Sequence, residues 1–519
     1  MLHPVEEASD VNMSTSHQLS LTAAPSTRHV DGADLSEAAA DLVTGGVVPH
    51  VIDGERRLSR AGGERAMVNP STGNQFGTVT DGEAADVDAA VRAAREAFED
   101  GRWRRLTPRV QEERLHGLAD LIEAHADVIG DLDALDAGIL RRYASFIAHY
   151  SASSLRYFAG WPTKLGGSLP PVGPDYVVQE RIQPVGVMGV IKPWNGPAAL
   201  FAQVAPALAA GNSVVLKPAE HTPLSATYMA LLALEAGIPP GVFNVVHGDR
   251  KVGEPLVSHP GVNRLSFTGS VTTGRALAAA AAQTFKRVNL ELGGKSPVLV
   301  FPDADIESAV AAATRSVWNN SGQVCTAGTR TLVHRTIYED FVAATVEASR
   351  DLPVGNAFDP TSELGPLITP EQLGKVRGYI EAGTREGASL RFEGKVDADG
   401  GNYQGPVIFA DVRNDMTIAR EEIFGPVMSL IPFEDEAEAF ALANDTEFGL
   451  AAGVFTKDIA RANRAADALD VGTVWVNCYQ VTDAAVSYGG AKGSGYGRSL
   501  GAPALEEYTR RKAVWSRNY

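Results

Sequence analysis

Between Val185 and Leu292, short runs rich in β-branched residues alternate with helical stretches, and no other feature restricts the fold of this 519-residue chain as tightly. The runs are Val187–Ile191, Ser213–Lys217, Val242–Val246, Arg264–Thr268 and Val288–Leu292. Ala198–Ala210, Leu224–Ala236 and Gly274–Thr284 read as helices between them. Strands that alternate with helices predict βαβ units around a parallel sheet. Ligands of such sheets bind at the carboxyl ends of the strands. Asn195, Lys217, Gly269 and Glu291 each stand at or just beyond such an end.

A chain this long exceeds one hydrophobic core. The alternation indeed restarts after Gly293, with Val298–Phe301, a helix over Ile306–Val317 and Thr331–Val333. It continues through Met428–Pro432, Ala452–Phe455 and Thr473–Val476, which predicts a second α/β domain. Before the first sheet, Thr107-Pro108 marks a helix start, as N-cap and first helical residue. The chain loosens at Gly166-Gly167-Ser168-Leu169-Pro170-Pro171, and the extended Tyr176–Ile182 that follows reads as an arm. Pro503–Arg511 reads as a helix near the end of the tail. Residues 1–44, rich in Ser, Thr, Ala and Asp, read as a loosely ordered extension with one short helix near Leu35–Leu42.

A net charge of −17 opposes a nucleic-acid or anionic-membrane surface. No apolar run approaches the ~20 residues of a membrane span. Only Cys325 and Cys478 are cysteines, too few for a disulfide framework, which points to a reducing, cytoplasmic compartment.

The candidate chemistry lies in loops. Cys325, within Ser321-Gly322-Gln323-Val324-Cys325-Thr326-Ala327-Gly328, is either a small buried hydrophobe or a presented thiol. Gly269-Ser270-Val271-Thr272-Thr273-Gly274 follows a strand and opens a helix. It is either a structural turn or a phosphate site at a helix N-terminus. Lys217 and Glu220 are either solvated charge or partners for ribose hydroxyls. Glu291 either caps a strand end or serves as a general base whose pKa burial raises. Asn195 either forms a turn or donates its amide to an oxyanion.

Seven motifs in order make the chain resemble the aldehyde dehydrogenase superfamily from about Val51 to Trp515. They are Pro193-Trp194-Asn195, Lys217-Pro218-Ala219-Glu220, Phe267-Thr268-Gly269-Ser270, Glu291-Leu292-Gly293-Gly294-Lys295, Gly322-Gln323-Val324-Cys325, Glu421-Glu422-Ile423-Phe424-Gly425-Pro426 and the glycine-rich Gly489–Gly495. The resemblance implies a Rossmann-like cofactor-binding domain (45–165 and 185–292) and an α/β catalytic domain (293–493). It also implies a small β oligomerisation arm with a tail (166–184 and 494–519). Tyr176–Ile182 and Val514-Trp515 would pair with a neighbouring copy in a homodimer or homotetramer.

By the same resemblance Cys325 attacks an aldehyde, forming a thiohemiacetal that becomes a thioester on hydride loss. Asn195 and the Cys325 N–H hold the oxyanion, and Glu291 activates the hydrolytic water. The cofactor is NAD, bound by Trp194, Lys217, Glu220, Gly269, Ser270, Gly274, Leu292, Glu422 and Phe424. The Glu220 carboxylate disfavours a 2′-phosphate and hence NADP. The chemistry requires no metal. Relatives that pass the acyl group to coenzyme A generally lack the carboxylate of Glu291. A catalytically silent relative would be expected to lose Cys325, Asn195 or Glu291. The substrate pocket is expected from Gly196, Asn319, Val324, Thr326, Gln480 and Thr482. Because Gly196, Asn319 and Thr482 stand where relatives often carry aromatic residues, a wider, less aromatic tunnel is expected. The helix after Pro197 also has Gln203-Val204 where a Trp-Lys pair is frequent.

Overall fold

All five strands expected between Val185 and Leu292 form in the computed structural model, which describes residues 27–518. Val187–Ile191, Ser213–Lys217, Phe243–Val245, Arg264–Thr268 and Arg287–Glu291 run parallel, in the spatial order fifth, fourth, first, second, third. They are apolar on both faces because helices cover both. Val214 and Leu216 pack with residues of the helices Pro108–Ala124, Arg141–Ala159 and Leu224–Glu235. Val215, one residue out of phase, packs with Ala84–Asp100, Arg250–Ser258 and Val271–Ala282. The helix at Pro108 starts as expected, the Thr107 hydroxyl accepting from the Val110 N–H.

Antiparallel strands extend this sheet at both edges. His50–Ile52 and Glu55–Arg57 lie beyond Phe243–Val245, and Gly495–Tyr496 lies beyond Arg287–Glu291. The second sheet holds Pro297–Val300, Arg330–His334, Val407–Ala410, Val427–Phe433, Ala451–Phe455 and Thr473–Val476 in parallel, with Ser389–Glu393 antiparallel at one edge.

Expectations for both ends of the chain are corrected. Residues 27–44 are not a loose extension: Thr27–Val30 and Ala33–Ser36 form a hairpin, and the short helix expected near Leu35–Leu42 forms at Glu37–Thr44. Leu35, Ala39, Ala40 and Val43 are buried in the first core, and the Ser36 N–H donates to Asp131 Oδ2 at 2.7 Å. Helical spacing of small apolar residues supplies that face, which alanine-rich composition obscures. Residues 1–26 of the expected extension lie outside the described residues.

The arm and tail pair with each other within the chain. Tyr176–Pro184 runs antiparallel to Thr509–Arg517 in continuous register, from Tyr176 opposite Arg517 to Pro184 opposite Thr509. The tail helix is likewise only a 3₁₀ segment, Ala502–Glu507, before that strand begins, because Arg510–Lys512 find β partners in the arm. Nor does the tail separate cleanly at residue 494, since Gly495–Tyr496 belongs to the first sheet. No helix among the described residues is long and apolar enough to cross a membrane.

Candidate active site

From Glu291, at the carboxyl end of the first sheet, five residues carry the chain to Pro297, at the amino end of the second. This strap, Leu292-Gly293-Gly294-Lys295-Ser296, is buried throughout, so the two sheet edges face each other across it. The strand order of the first sheet reverses between Val187–Ile191 and Arg264–Thr268. The crevice at such a switch point is where parallel sheets bind ligands. Trp194 and Asn195 leave one of these strands, Gly269 and Ser270 the other.

Cys325 is presented by a constrained loop. After the helix Ile306–Trp318, Asn320, Ser321 and Gly322 have φ of 48°, 53° and 74°. Two successive non-glycine residues in this region must be held there by their surroundings. The Ser321 hydroxyl donates to the Gly365 carbonyl at 2.7 Å, and Gln323 Oε1 accepts from the Ile368 N–H at 2.9 Å. A Cβ on Gly322 would fall on the Gly425 carbonyl. Downstream, the Tyr479 hydroxyl donates to the Thr326 carbonyl at 2.9 Å.

The thiol is half-buried, with its Sγ 3.4 Å from the Tyr488 hydroxyl. Burial pushes its pKa up to about 11, Tyr488 opposes this, and the Glu422 and Glu291 charges add to it. Asn195 Nδ2 donates to the Gln323 carbonyl at 2.9 Å, which ties the switch-point loop to the thiol loop. An amide nitrogen carries two protons, so one remains for a ligand. Glu291 is only 4% exposed. Its Oε1 accepts from the Ser499 hydroxyl at 3.0 Å, while Oε2 is buried without a partner. Burial pushes its carboxyl up to about 8, against the pull of Ser499, Arg498 and Lys192.

A cavity of about 780 Å³ unites these groups: Asn195, Gly196, Glu291, Leu292, Asn319, Val324, Cys325, Thr326, Gln480 and Thr482 all line it. The remaining expected residues lie outside it. Lys217 is buried, its Nζ 3.6 Å from Glu220 Oε2, and burial lowers its pKa. Ser270 caps the helix Val271–Ala282, and Gly274 sits where a Cβ would strike Leu292. Trp194 meets Phe424 edge to face, ring centroids 5.2 Å apart. Glu422 Oε1 accepts from the Gly294 N–H at 3.0 Å, and its other oxygen fills the space of a Gly293 Cβ. Cys478 packs against the core of the second sheet.

Sequence reasoning missed much of the cavity wall. Tyr143, Phe146, Ile147 and Tyr150 project from the helix Arg141–Ala159, and Trp318 and Tyr488 join them. The wall thus carries aromatic rings although Gly196, Asn319 and Thr482 supply none. The rings arrive from a helix instead, and their spacing of three and four residues was the available signal. Lys192, Gln203 and Ser499 also line the cavity.

The model of the aldehyde dehydrogenase family matches residues 58–514. The chain belongs to this family. Aldehyde dehydrogenases similar to it include mouse retinaldehyde dehydrogenase 3, 44% identical over 468 residues, covering 89% of this chain and 91% of that protein. An NAD+ complex of the Bacillus cereus aldehyde dehydrogenase superposes with a TM-score of 0.91 at 40% identity, over 93% of this chain and 99% of that one. A P. syringae indole-3-acetaldehyde dehydrogenase, in complex with NAD+ and IAA, reaches 0.89 at 39% identity, over 91% and 96%. The matched span encloses every site residue above; the 27–44 hairpin and helix lie outside it.

Proposed function

We propose that this aldehyde dehydrogenase oxidises an aldehyde to a carboxylic acid with NAD, through a thiohemiacetal and then a thioester on Cys325, and that water hydrolyses the thioester. The observation that carries this reading is Glu291 Oε2, a buried oxygen without a partner in the same cavity as the thiol. Cys325 Sγ adds to the carbonyl carbon, its proton passing to solvent. Asn195 Nδ2 and the Cys325 N–H receive the oxyanion. Bound NAD supplies the acceptor for the hydride that leaves this carbon. Glu291 then takes a proton from water as that water attacks the thioester, and the C–S bond breaks to return the thiolate. The burial that keeps Glu291 neutral at rest makes it a base matched to near-neutral pH.

Residues suited to NAD are present. Lys217 and Glu220 stand at a strand end for the adenosine ribose, and the capped helix at Ser270 offers N–H groups to a pyrophosphate. Glu422, with Phe424 against Trp194, stands for the nicotinamide ribose. Glu220 repels a 2′-phosphate, which favours NAD over NADP. The aromatic wall suits an aldehyde with a bulky apolar body, and the relatives named for retinaldehyde and indole-3-acetaldehyde fit that reading. The arm–tail ribbon leaves Tyr176, Val177 and Trp515 exposed, which supports its use as the contact of a homodimer or homotetramer.

NADH formation from a panel of aldehydes, with and without coenzyme A, tests the reaction. Turnover independent of coenzyme A, lost in Cys325→Ser, is expected. A strict requirement for coenzyme A would assign the acylating reaction instead. A steep preference for acetaldehyde over aromatic aldehydes would sink the substrate reading.

A further inference from the structure

Beside the thiol and the base, the cavity holds a buried amine with no part in the chemistry above. Lys192 follows directly on the strand Val187–Ile191, and its backbone N–H donates to the Lys217 carbonyl at 3.0 Å. Its side chain turns inward, 7% exposed, and Nζ donates to Gln203 Oε1 at 2.7 Å and to the Ala199 carbonyl at 3.3 Å. Both acceptors are neutral, and a buried ammonium is costly without a compensating charge.

The compensation lies at the end of a bonded chain. With Oε1 of Gln203 fixed on Lys192, its Nε2 faces Ser499 and donates to that hydroxyl oxygen at 3.4 Å. Asn289 Nδ2 donates to the same oxygen, also at 3.4 Å, so the Ser499 proton is left to point at Glu291 Oε1, 3.0 Å away. Every donor in Lys192–Gln203–Ser499–Glu291 points toward the carboxylate. Bonds aligned in one sense polarise one another in a low-dielectric interior. The backbone of Ser499 is itself fixed by exchanging two 2.7 Å bonds with Tyr488, whose hydroxyl meets the thiol.

We propose that Lys192 is a positioning residue for the general base, acting through Gln203 and Ser499 to favour the ionised form of the Glu291 carboxylate against its burial and to orient it for water activation. The proposal rests on Glu291 being that base. The charged and titratable groups acting on Glu291 or acted on by it are Lys192, Arg498, Cys325, Tyr150, Tyr488 and Tyr508. Of these, Lys192 and Arg498 are the cations that favour its charged form.

The test is the pH profile of thioester hydrolysis, read as the steady-state rate after an NADH burst, in the full-length enzyme with saturating NAD. Removing a cation from a carboxylate's surroundings raises its pKa. Lys192→Met is thus expected to move the rising limb up by about one pH unit, losing about tenfold at pH 7 and recovering above pH 9. Lys192→Arg keeps the limb near its wild-type place. Gln203→Leu keeps the charge but breaks the chain and moves the limb up by less. A folded Lys192→Met with an unmoved limb, or with a loss equal at every pH, overturns the proposal. If Lys192→Met does not fold, an unmoved limb in both Gln203→Leu and Ser499→Ala overturns it. Glu291→Gln separates the two readings: if the limb survives there, the base reading itself fails. If it vanishes there but stays put in the Lys192 and Gln203 variants, only the role of Lys192 is lost.

Discussion

On the proposed mechanism, replacing Glu291 by Gln should separate the two halves of the reaction. The amide keeps the shape of the carboxyl and an acceptor for the Ser499 hydroxyl, but it cannot take a proton from water. General-base catalysis contributes about 10²–10⁴-fold, so hydrolysis of the thioester should slow by that factor, about 3–5 kcal/mol of barrier. Attack by Cys325 needs the thiol and the oxyanion donors, none of which changes. Rapid-mixing measurements of NADH absorbance should therefore show a burst of about one equivalent per site, followed by a nearly flat line. The structure also sets the pH dependence. A carboxyl pushed up to about 8 is about 1% ionised at pH 6 and about 9% at pH 7. Wild-type hydrolysis should rise nearly tenfold over that interval and level off above pH 8, and the variant should not follow. Stability should move in the opposite sense. A carboxyl whose folded pKa lies above its unfolded value binds its proton more tightly in the native state, so the fold loses stability as pH rises from about 4.5 to about 8. Glu291→Gln escapes that loss, and its Tm relative to wild type should be higher at pH 8 than at pH 4.5. Loss of the burst together with the steady state would refute the assignment of Glu291 to hydrolysis alone, and an unchanged steady state would refute its role as base.

Alkylation of Cys325 by iodoacetamide in the free enzyme should accelerate about tenfold per pH unit between pH 7 and 10, because only the thiolate reacts and burial pushes its pKa up to about 11. A plateau below pH 8, measured by peptide mass spectrometry, would mean the thiol is already ionised at rest. Gly322→Ala places a methyl group on the Gly425 carbonyl at a φ of +74°, and should cost about 1–3 kcal/mol of stability and displace the thiol loop. Denaturant titration together with kcat reads this out; a variant equal to wild type in both would show that the loop is not held at that contact.

Local pattern made the parallel strands legible, since each is a short apolar run bounded by turn residues and buried on both faces. The same locality placed Asn195, Lys217, Gly269 and Glu291 at strand ends, where parallel sheets bind ligands, while leaving a structural reading of each open. Cys325 was different: as a lone cysteine it read first as a small buried hydrophobe, and the family motif alone pointed to a presented thiol. Contacts distant in sequence had no such signature. The ribbon of Tyr176–Pro184 with Thr509–Arg517 joins segments over three hundred residues apart, and neither strand names its partner. Residues 27–44 carry a buried face of Leu35, Ala39, Ala40 and Val43 that composition alone hides. Lys192 reads as an ordinary charge after a strand until Gln203 and Ser499 are seen beside it.

The buried strap Leu292–Ser296 has a consequence for how this enzyme can vary. Connections between elements usually lie on the surface and tolerate added or lost residues. Here Gly293 has no room for a side chain beside Glu422, Gly294 none beside the Cys325 carbonyl, and Lys295 accepts at its carbonyl from Arg330. One residue inserted would shift Glu291 against the loop of Cys325 while leaving each sheet internally intact. Both sheets can change their outer layers independently, but in this strap a deletion that any surface loop would absorb becomes a catalytic lesion.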